Sequence, residues 1–489
     1  MPTNGWLRVK GAKYFGKSRY IDFLKAENCM FKSFGKSLLA LAVIMLCAVP
    51  LSSAQHNLPA GIIETFGQPP ATPDGRLPQP IADAVRAAFV ESVAPIGSET
   101  QIIWGTRQDE ALTTIAGSGD PRLGWLIADL MRFIWQPDIS EKLADAAGEL
   151  LGKNWGAGDP WNQIIDHLIA WEMPAPPDYL ARKKTIYTTL LHGWERLFIE
   201  GDIDWRHVTW GGVPIDARAF GQTDIPCPCI PAADNPPVTS ADEATWLEDD
   251  AIVFGIVING EARAYPRQIM EVREMVNDTL GGRDLGIPYC TLCGAAQAYF
   301  TDDMPPGIER PILRTSGLLI RSNKVMFDLN TYSIFDTFKG KALTGPLAEA
   351  GLQLKQATVV TSNWASWRQA HPQTTVLAEE LALGRDFNFR EGRDADGPIF
   401  PIGDVDPRLP VQDDVVGVIT PSGNPVAFPR GAALIALNGG NTVALDGVAL
   451  RQSAGGLRAF DLSGREIAAH QAFWFAWSQF YPDTKLWEG

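Results

Sequence analysis

Histidine is scarce in this sequence, six in 489 residues. Only His371 and His470 fall after residue 250, which argues against an imidazole-built metal site or catalytic triad there. A glycine-rich phosphate loop and a serine nucleophile elbow are also missing. Basic charge is short: 42 Lys and Arg face 57 Asp and Glu, for a formal charge of -15. Residues 1–54 alone carry +6, which leaves -21 on the remainder. A body this acidic repels phosphate, so neither nucleic acid nor an anionic membrane surface is an expected partner. Long apolar runs are lacking too. Leu38–Val49 (LLALAVIMLCAV) rises about 18 Å as a helix, against a hydrocarbon core of about 30 Å, so no membrane span is expected.

What that run does fit is a secretory signal. Lys32 and Lys36 precede it and Ser52-Ser53-Ala54 follows, giving a basic start, a short apolar middle and small residues for cleavage. A start at Met30 would give a signal of ordinary length. Leu46 before Cys47 argues against a lipoprotein. The expected location is therefore periplasmic or extracellular. Cys29 and Cys47 leave with the signal, and Cys227, Cys229, Cys290 and Cys293 remain. An even count in an oxidising compartment favours disulfides.

The mature chain reads as α+β: an all-α N-terminal domain, then a β-rich domain with an internal duplication. Residues 55–80 are a Pro- and Gly-rich leader. Over residues 81–200, segments such as IADAVRAAFVESV, ISEKLADAAGELLG and DPWNQIIDHLIAW space apolar residues three and four apart, as helices do. Asp120-Pro121 and Asp159-Pro160 are start signals, a capping carboxylate before a first-turn proline. His167 and His192 sit in these helices as ordinary packed or surface residues. Residues 201–250 form an irregular connection that carries Cys227-Pro228-Cys229. Beyond it come short apolar segments separated by turns, with one helix expected over Pro266–Val276.

Two stretches of this region match each other. Val253, Gly255, Gly260, Ala264, Tyr265, Pro266 and Arg267 are answered by Val415, Gly417, Gly423, Ala427, Phe428, Pro429 and Arg430. Trp364, Trp367, Gln369, Pro372 and Thr374 are answered by Trp474, Trp477, Gln479, Pro482 and Thr484 at identical spacing. Gly281-Gly282 has an apparent echo in Gly439-Gly440. The reading is a doubled unit: copy one at 251–380, a linker at 381–410, and copy two at 411–489. Pro266 to Trp364 spans 98 residues but Pro429 to Trp474 only 45, so copy two lacks the segment holding Cys290 and Cys293. The paired tryptophans, three apart, share a helical face and are expected to pack on their own sheet.

GIVINGEARAYP, VNDTLGG, YCTLCGAAQAY, SGLLIRSNKVMFD and the two Trp-Pro-Thr segments resemble the domain of unknown function 3179 family over about residues 225–489. The resemblance implies a bacterial or archaeal protein, often exported, with no settled activity. Members often carry Trp-His-Glu before Val-Asn-Asp; here those positions read Val272-Arg273-Glu274. The resemblance therefore carries over the glutamate and no histidine.

Three chemistries fit the cysteines. Cys227, Cys229, Cys290 and Cys293 could hold zinc or iron through four thiolates. Cys290 and Cys293 could exchange thiols for disulfides, although no helix start beside them favours a thiolate. All four could form inert cystines. Arg263, Tyr265, Glu274, Asn277, Asp278, Arg321, Asn323 and Asp328 are candidates for an adjacent polar pocket, or ordinary turn and surface positions. The leading expectation is an exported protein with a cysteine-centred structural or metal site and a pocket for a small ligand or protein partner. A thiol–disulfide oxidoreductase and a non-catalytic interaction scaffold are the alternatives.

Overall fold

The computed structural model describes residues 58–96, 99–222, 225–378 and 397–489. The signal reading over residues 1–54 and most of the 381–410 linker fall outside them. Residues from Leu58 onward form one compact unit. Among the described residues no helix is long and apolar enough to cross a membrane.

The chain is α+β in the expected order, helices first and sheets after. Helices run over Gln79–Phe89, Thr106–Ala116, Gly124–Met131, Pro137–Leu151, Pro160–Ala170 and Tyr179–Leu190. The Asp159 carboxylate accepts from the Trp161 amide and starts its helix as expected. Asp120 caps a single 3-10 turn ahead of the Gly124–Met131 helix. Three features depart from the sequence reading. The leader holds a short helix, Ala60–Phe66, whose Phe66 ring meets His167 edge-on at 5.2 Å. A hairpin joins Val93–Ile96 to Glu99–Ile102. The Thr106–Ala116 helix was hidden by its polar, threonine-rich sequence.

The helices share a core with the β-rich part. Leu318, Val325, Phe327 and Ile334 lie in the same apolar cluster as Trp125, Leu143 and Ile186. Trp194 donates its indole N–H to Ser316 O at 2.8 Å. The strand Val208–Trp210, from the irregular connection, pairs with Leu313–Ile320.

The duplication is visible in the strand pairing. In copy one the hairpin of Ile252–Ile258 and Glu261–Pro266 is flanked by an antiparallel strand, Val360–Asn363, and a parallel one, Thr375–Leu377. In copy two the hairpin of Asp414–Ile419 and Pro425–Pro429 is flanked by Ala469–Phe473 and Lys485–Leu486 in the same senses. The helices Trp364–Ala370 and Trp474–Phe480 bridge the flanking strands. Trp367 donates to Thr374 Oγ1 at 3.0 Å and Trp477 to Thr484 Oγ1 at 2.9 Å. Each indole lies on a strand glycine. A Cβ at Gly255 would sit 2.1 Å from the Trp367 ring, and one at Gly417 would sit 2.1 Å from the Trp477 ring.

Two expectations need correction. Copy two does not merely lack a segment: a four-stranded meander, Val443–Leu445 through Glu466–Ile467, fills the corresponding place. Copy one inserts most of two sheets there, one around Arg283–Cys290 and one around Leu313–Ile320, each completed by a strand from upstream, Ala233–Asp234 and Val208–Trp210. The Gly281-Gly282 echo is also not structural. Gly281 and Gly282 turn a hairpin between Met275–Leu280 and Arg283–Cys290, while Gly439 ends a helix.

The indole-on-glycine contact generates a direct test. Gly255→Ala or Gly417→Ala should destabilise the fold by about 1–3 kcal/mol, as overpacked cores do. Denaturant titration measures the cost, and a loss under about 0.5 kcal/mol, the scatter of surface substitutions, would show the rings free to retreat.

Candidate functional site

The expected helix over Pro266–Val276 stops early. Arg267–Arg273 is helical, Glu274 closes it with φ of 48°, and Met275 begins a strand. Asn277 and Asp278 are therefore strand residues on opposite faces of a sheet, not a helix end or Asx turn.

Asp278 faces Arg263 and Tyr265. Its Oδ2 accepts from Arg263 Nη1 at 2.7 Å and from the Tyr265 hydroxyl at 2.8 Å. Arg263 also donates to Thr375 Oγ1, Thr279 O and Glu261. Burial holds the Tyr265 phenol well above its ordinary pKa, so it stays a neutral donor. Asn277 faces the other way. Its amide donates to Asp234 Oδ1 and Leu313 O and accepts from Leu313 N. Both residues bind neighbouring strands together, and their polar atoms are engaged.

Arg321 and Asp328 are likewise occupied. Arg321 donates to Ile402 O and Asp404, and Asp166 accepts from the amides of Ile402 and Gly403, so the 402–404 loop is pinned from two sides. Asp328 accepts from Ile312 N, Thr331 N and Thr331 Oγ1 as a turn anchor. Asn323 donates to Arg321 O, while its buried Oδ1 has no partner among the described residues.

Glu274 is different. One carboxylate oxygen accepts from Thr291 Oγ1 at 3.0 Å and the other from Lys324 Nζ at 2.9 Å. The pair is almost fully buried, with side-chain exposures of 3% for Lys324 and 9% for Glu274. Burial outweighs the carboxylate's pull and lowers the Lys324 pKa. Lys324 is a residue that sequence reasoning missed. The signal was there: a lysine inside the otherwise strand-like NKVMFD, all six residues of which are buried.

Thr291 lies between the cysteines. Cys290 and Cys293 form a disulfide across the turn that links Arg283–Cys290 to Ala295–Ala296. Both are buried, in an apolar cluster with Phe338, Phe473 and Trp477. The Phe473 amide donates to Cys293 O at 2.9 Å, so this turn is a contact between copy one and copy two.

Cys227 and Cys229 form their own disulfide. The four sulfurs are thus not gathered at one centre. Among the described residues the one cluster of three or more potential metal ligands is Asp216 with Cys227 and Cys229. The correction has a simple cause. Cys290 and Cys293 are committed to a turn inside one sheet, while Cys227 and Cys229 stay in the irregular connection.

Asp216 belongs to a second buried network that sequence reasoning also missed. It accepts from the backbone and side chain of Arg218 and from Ala232 N. Arg314, fully buried, pairs with Asp234 and reaches to 3.9 Å from Asp216. A groove of about 810 Å³ in the helical part, lined by Glu141, Asp145, Glu149, Lys153 and Trp155 among others, includes none of the candidate residues.

Residues 227–441 match the model of a family described as "Protein of unknown function (DUF3179)". The match takes in both disulfides and the Glu274–Lys324 pair, and it stops before the second tryptophan helix. No curated protein and no solved structure matches the chain.

One histidine lies where the copies meet. His470, on copy two, hydrogen-bonds Gln356 of copy one at 2.8 Å, and burial pushes its pKa down to about 3. The unfolded chain takes up this proton below about pH 6.5, and the folded chain refuses it until about pH 3, so stability should fall as pH drops through that window. Asp336, raised to about 6 by burial, tilts the curve the opposite way between about pH 4 and 6. His470→Gln keeps an amide partner for Gln356 and removes the histidine contribution. Melting midpoints against pH should show a shallower acid fall in the variant; identical curves would mean that His470 does not titrate with unfolding.

Proposed function

We propose, taking residues 227–441 as a DUF3179 region, that this chain is an exported, disulfide-locked binding protein. In this reading the Cys290–Cys293 turn is structural. It fixes Thr291 against Glu274 and so presents the Glu274–Lys324 pair as the polar centre of a small-ligand site.

The observation that carries the proposal is the buried pair itself. Removing two charges from water costs several kcal/mol per ion, and their attraction often fails to repay it. An apolar pair would hold the sheets together at least as well, so stability alone is a poor reason for Lys324 and Glu274. Unmet hydrogen-bonding capacity lies on the same face. Thr315 stands opposite Met326, two steps along the strand from Lys324, and its buried Oγ1 has no partner among the described residues. A polar guest supplies what these groups lack, since an unsatisfied buried group costs about 1–3 kcal/mol.

Two measurements test this reading. Protein purified without reductant should show no free thiol in denaturant, no zinc or iron, and peptides cross-linked 227–229 and 290–293. One zinc or iron per chain together with four titratable thiols would overturn it. Glu274→Ala alone should cost about 3–5 kcal/mol by stranding Lys324, while Glu274→Gln with Lys324→Met, which removes both charges, should cost far less. Melting midpoints screened against amino acids, hydroxy acids and sugars should rise for the wild type and stay still for the double variant. A double variant that responds equally places binding elsewhere.

A further inference from the structure

The two disulfides differ in a way that the binding proposal does not use. Cys290 and Cys293 are 2% and 0% exposed, inside a core shared by both copies. Cys227 is half-buried, and its neighbours Ile225, Pro226 and Pro228 are exposed. Cys229 behind it is 1% exposed. Only one of the four cysteines is thus partly open to an incoming thiolate, and it closes a ring over a single residue, Pro228.

The surroundings fit exchange better than metal binding. Asp216 is close enough to both sulfurs to count as a ligand. Both its oxygens are already used, one by Arg218 N and Nε, the other by Arg218 Nη2 and Ala232 N. A carboxylate neutralised this way has little left for a cation. What the site does hold in reserve is a donor. Arg314 is 0% exposed, and its Nε has no hydrogen-bond partner among the described residues while lying 3.9 Å from Asp216 Oδ2. An unused buried N–H this close to the Asp216 carboxylate, which itself lies within 4.8 Å of both sulfurs, adds positive charge on the side of the disulfide where a thiolate would form. Arg218 holds the two ends of the loop, Ile225 O and Ala232 O, while the Cys227–Cys229 ring stands between them.

We propose that Cys227–Cys229 is a thiol–disulfide exchange site that accepts two electrons from an extracytoplasmic dithiol, with Cys227 the attacked sulfur and Cys229 the leaving thiolate. A donor thiolate attacks Cys227 Sγ. The Cys227–Cys229 bond breaks and its electron pair leaves on Cys229, within 4.8 Å of the Asp216 carboxylate that pairs with Arg218 and lies 3.9 Å from Arg314. The donor's second thiolate then attacks the donor sulfur of the mixed disulfide and releases Cys227. The donor departs as a disulfide, and the protons it gave up are available to the two new thiols. The inference rests on the oxidised state proposed above only for its starting disulfide.

The full chain, purified without reductant, is titrated with dithiothreitol under native conditions, quenched with iodoacetamide and mapped by mass spectrometry. Cys227 and Cys229 should be alkylated at dithiol levels that leave Cys290 and Cys293 joined, with rates at least about ten-fold apart, because the inner pair must wait for local opening. Reduction of both pairs together, or resistance of the outer pair, overturns the inference and leaves the binding proposal standing. Absence of the 227–229 cross-link before reduction overturns both. Single variants check which sulfur is reachable: with Cys229→Ser, the Cys227 thiol should attack oxidised glutathione, keeping one half as a mixed disulfide and releasing the other as a thiol, whereas with Cys227→Ser the buried Cys229 should do so at least about ten-fold more slowly. Equal trapping would refute Cys227 as the attacked sulfur.

Discussion

The β-rich part depends on one contact made twice, an indole ring laid flat on a strand where only a hydrogen fits. Trp367 on Gly255 and Trp477 on Gly417 each fix a short helix to a hairpin, and the threonine below each indole N–H fixes its rotation. The flanking strands follow from this, because each helix starts at the end of one and delivers the chain to the other. An indole buried to this degree removes a large apolar area from water and satisfies its one polar atom. The two units then differ mainly in what is inserted between hairpin and helix, and in the edge strand Val238–Ser240 that copy one adds to Thr375–Leu377.

That dependence explains what the sequence disclosed. Matched tryptophans, glycines and threonines at fixed spacing are the parts that cannot vary without losing the contact, so the doubling could be read from residues alone. The lack of a helix start beside the CxxC was also legible, and the motif turns between two strands. The Gly439-Gly440 echo misled because two glycines serve a helix end as readily as a hairpin turn. The candidate pocket was partly legible. Polar residues among apolar strands marked Arg263, Asn277 and Asp278 as candidates but left open that they were turn or surface positions; all three are buried, and their partners on other strands decide their roles. Lys324 and Arg314 were passed over because a charged residue in a strand usually faces water, and Asp216 because it lies in the irregular connection. Only the register shows that the two strand residues face inward.

Two kinds of buried charge emerge from this comparison. The Arg263–Asp278 and Arg314–Asp234 pairs are wrapped in further hydrogen bonds from backbone and side chains, and they behave as rivets between sheets. The Glu274–Lys324 pair has a sparser shell, one threonine from the disulfide turn besides the two partners. The disulfide turn in turn carries the backbone bond to Phe473, so the polar centre, the cystine and the seam between copies are mechanically continuous.

The strand Val208–Trp210 lies upstream of the stretch that matches the family, yet it completes the sheet containing Leu313–Ile320 and Lys324. The residues on the other side of that sheet, Leu318, Val325 and Phe327, are covered by the helices. Boundaries drawn by family likeness and boundaries drawn by folding therefore disagree in this molecule. Excised at residue 227, the recognisable portion would present a bare strand edge and an uncovered apolar sheet, a template for self-association.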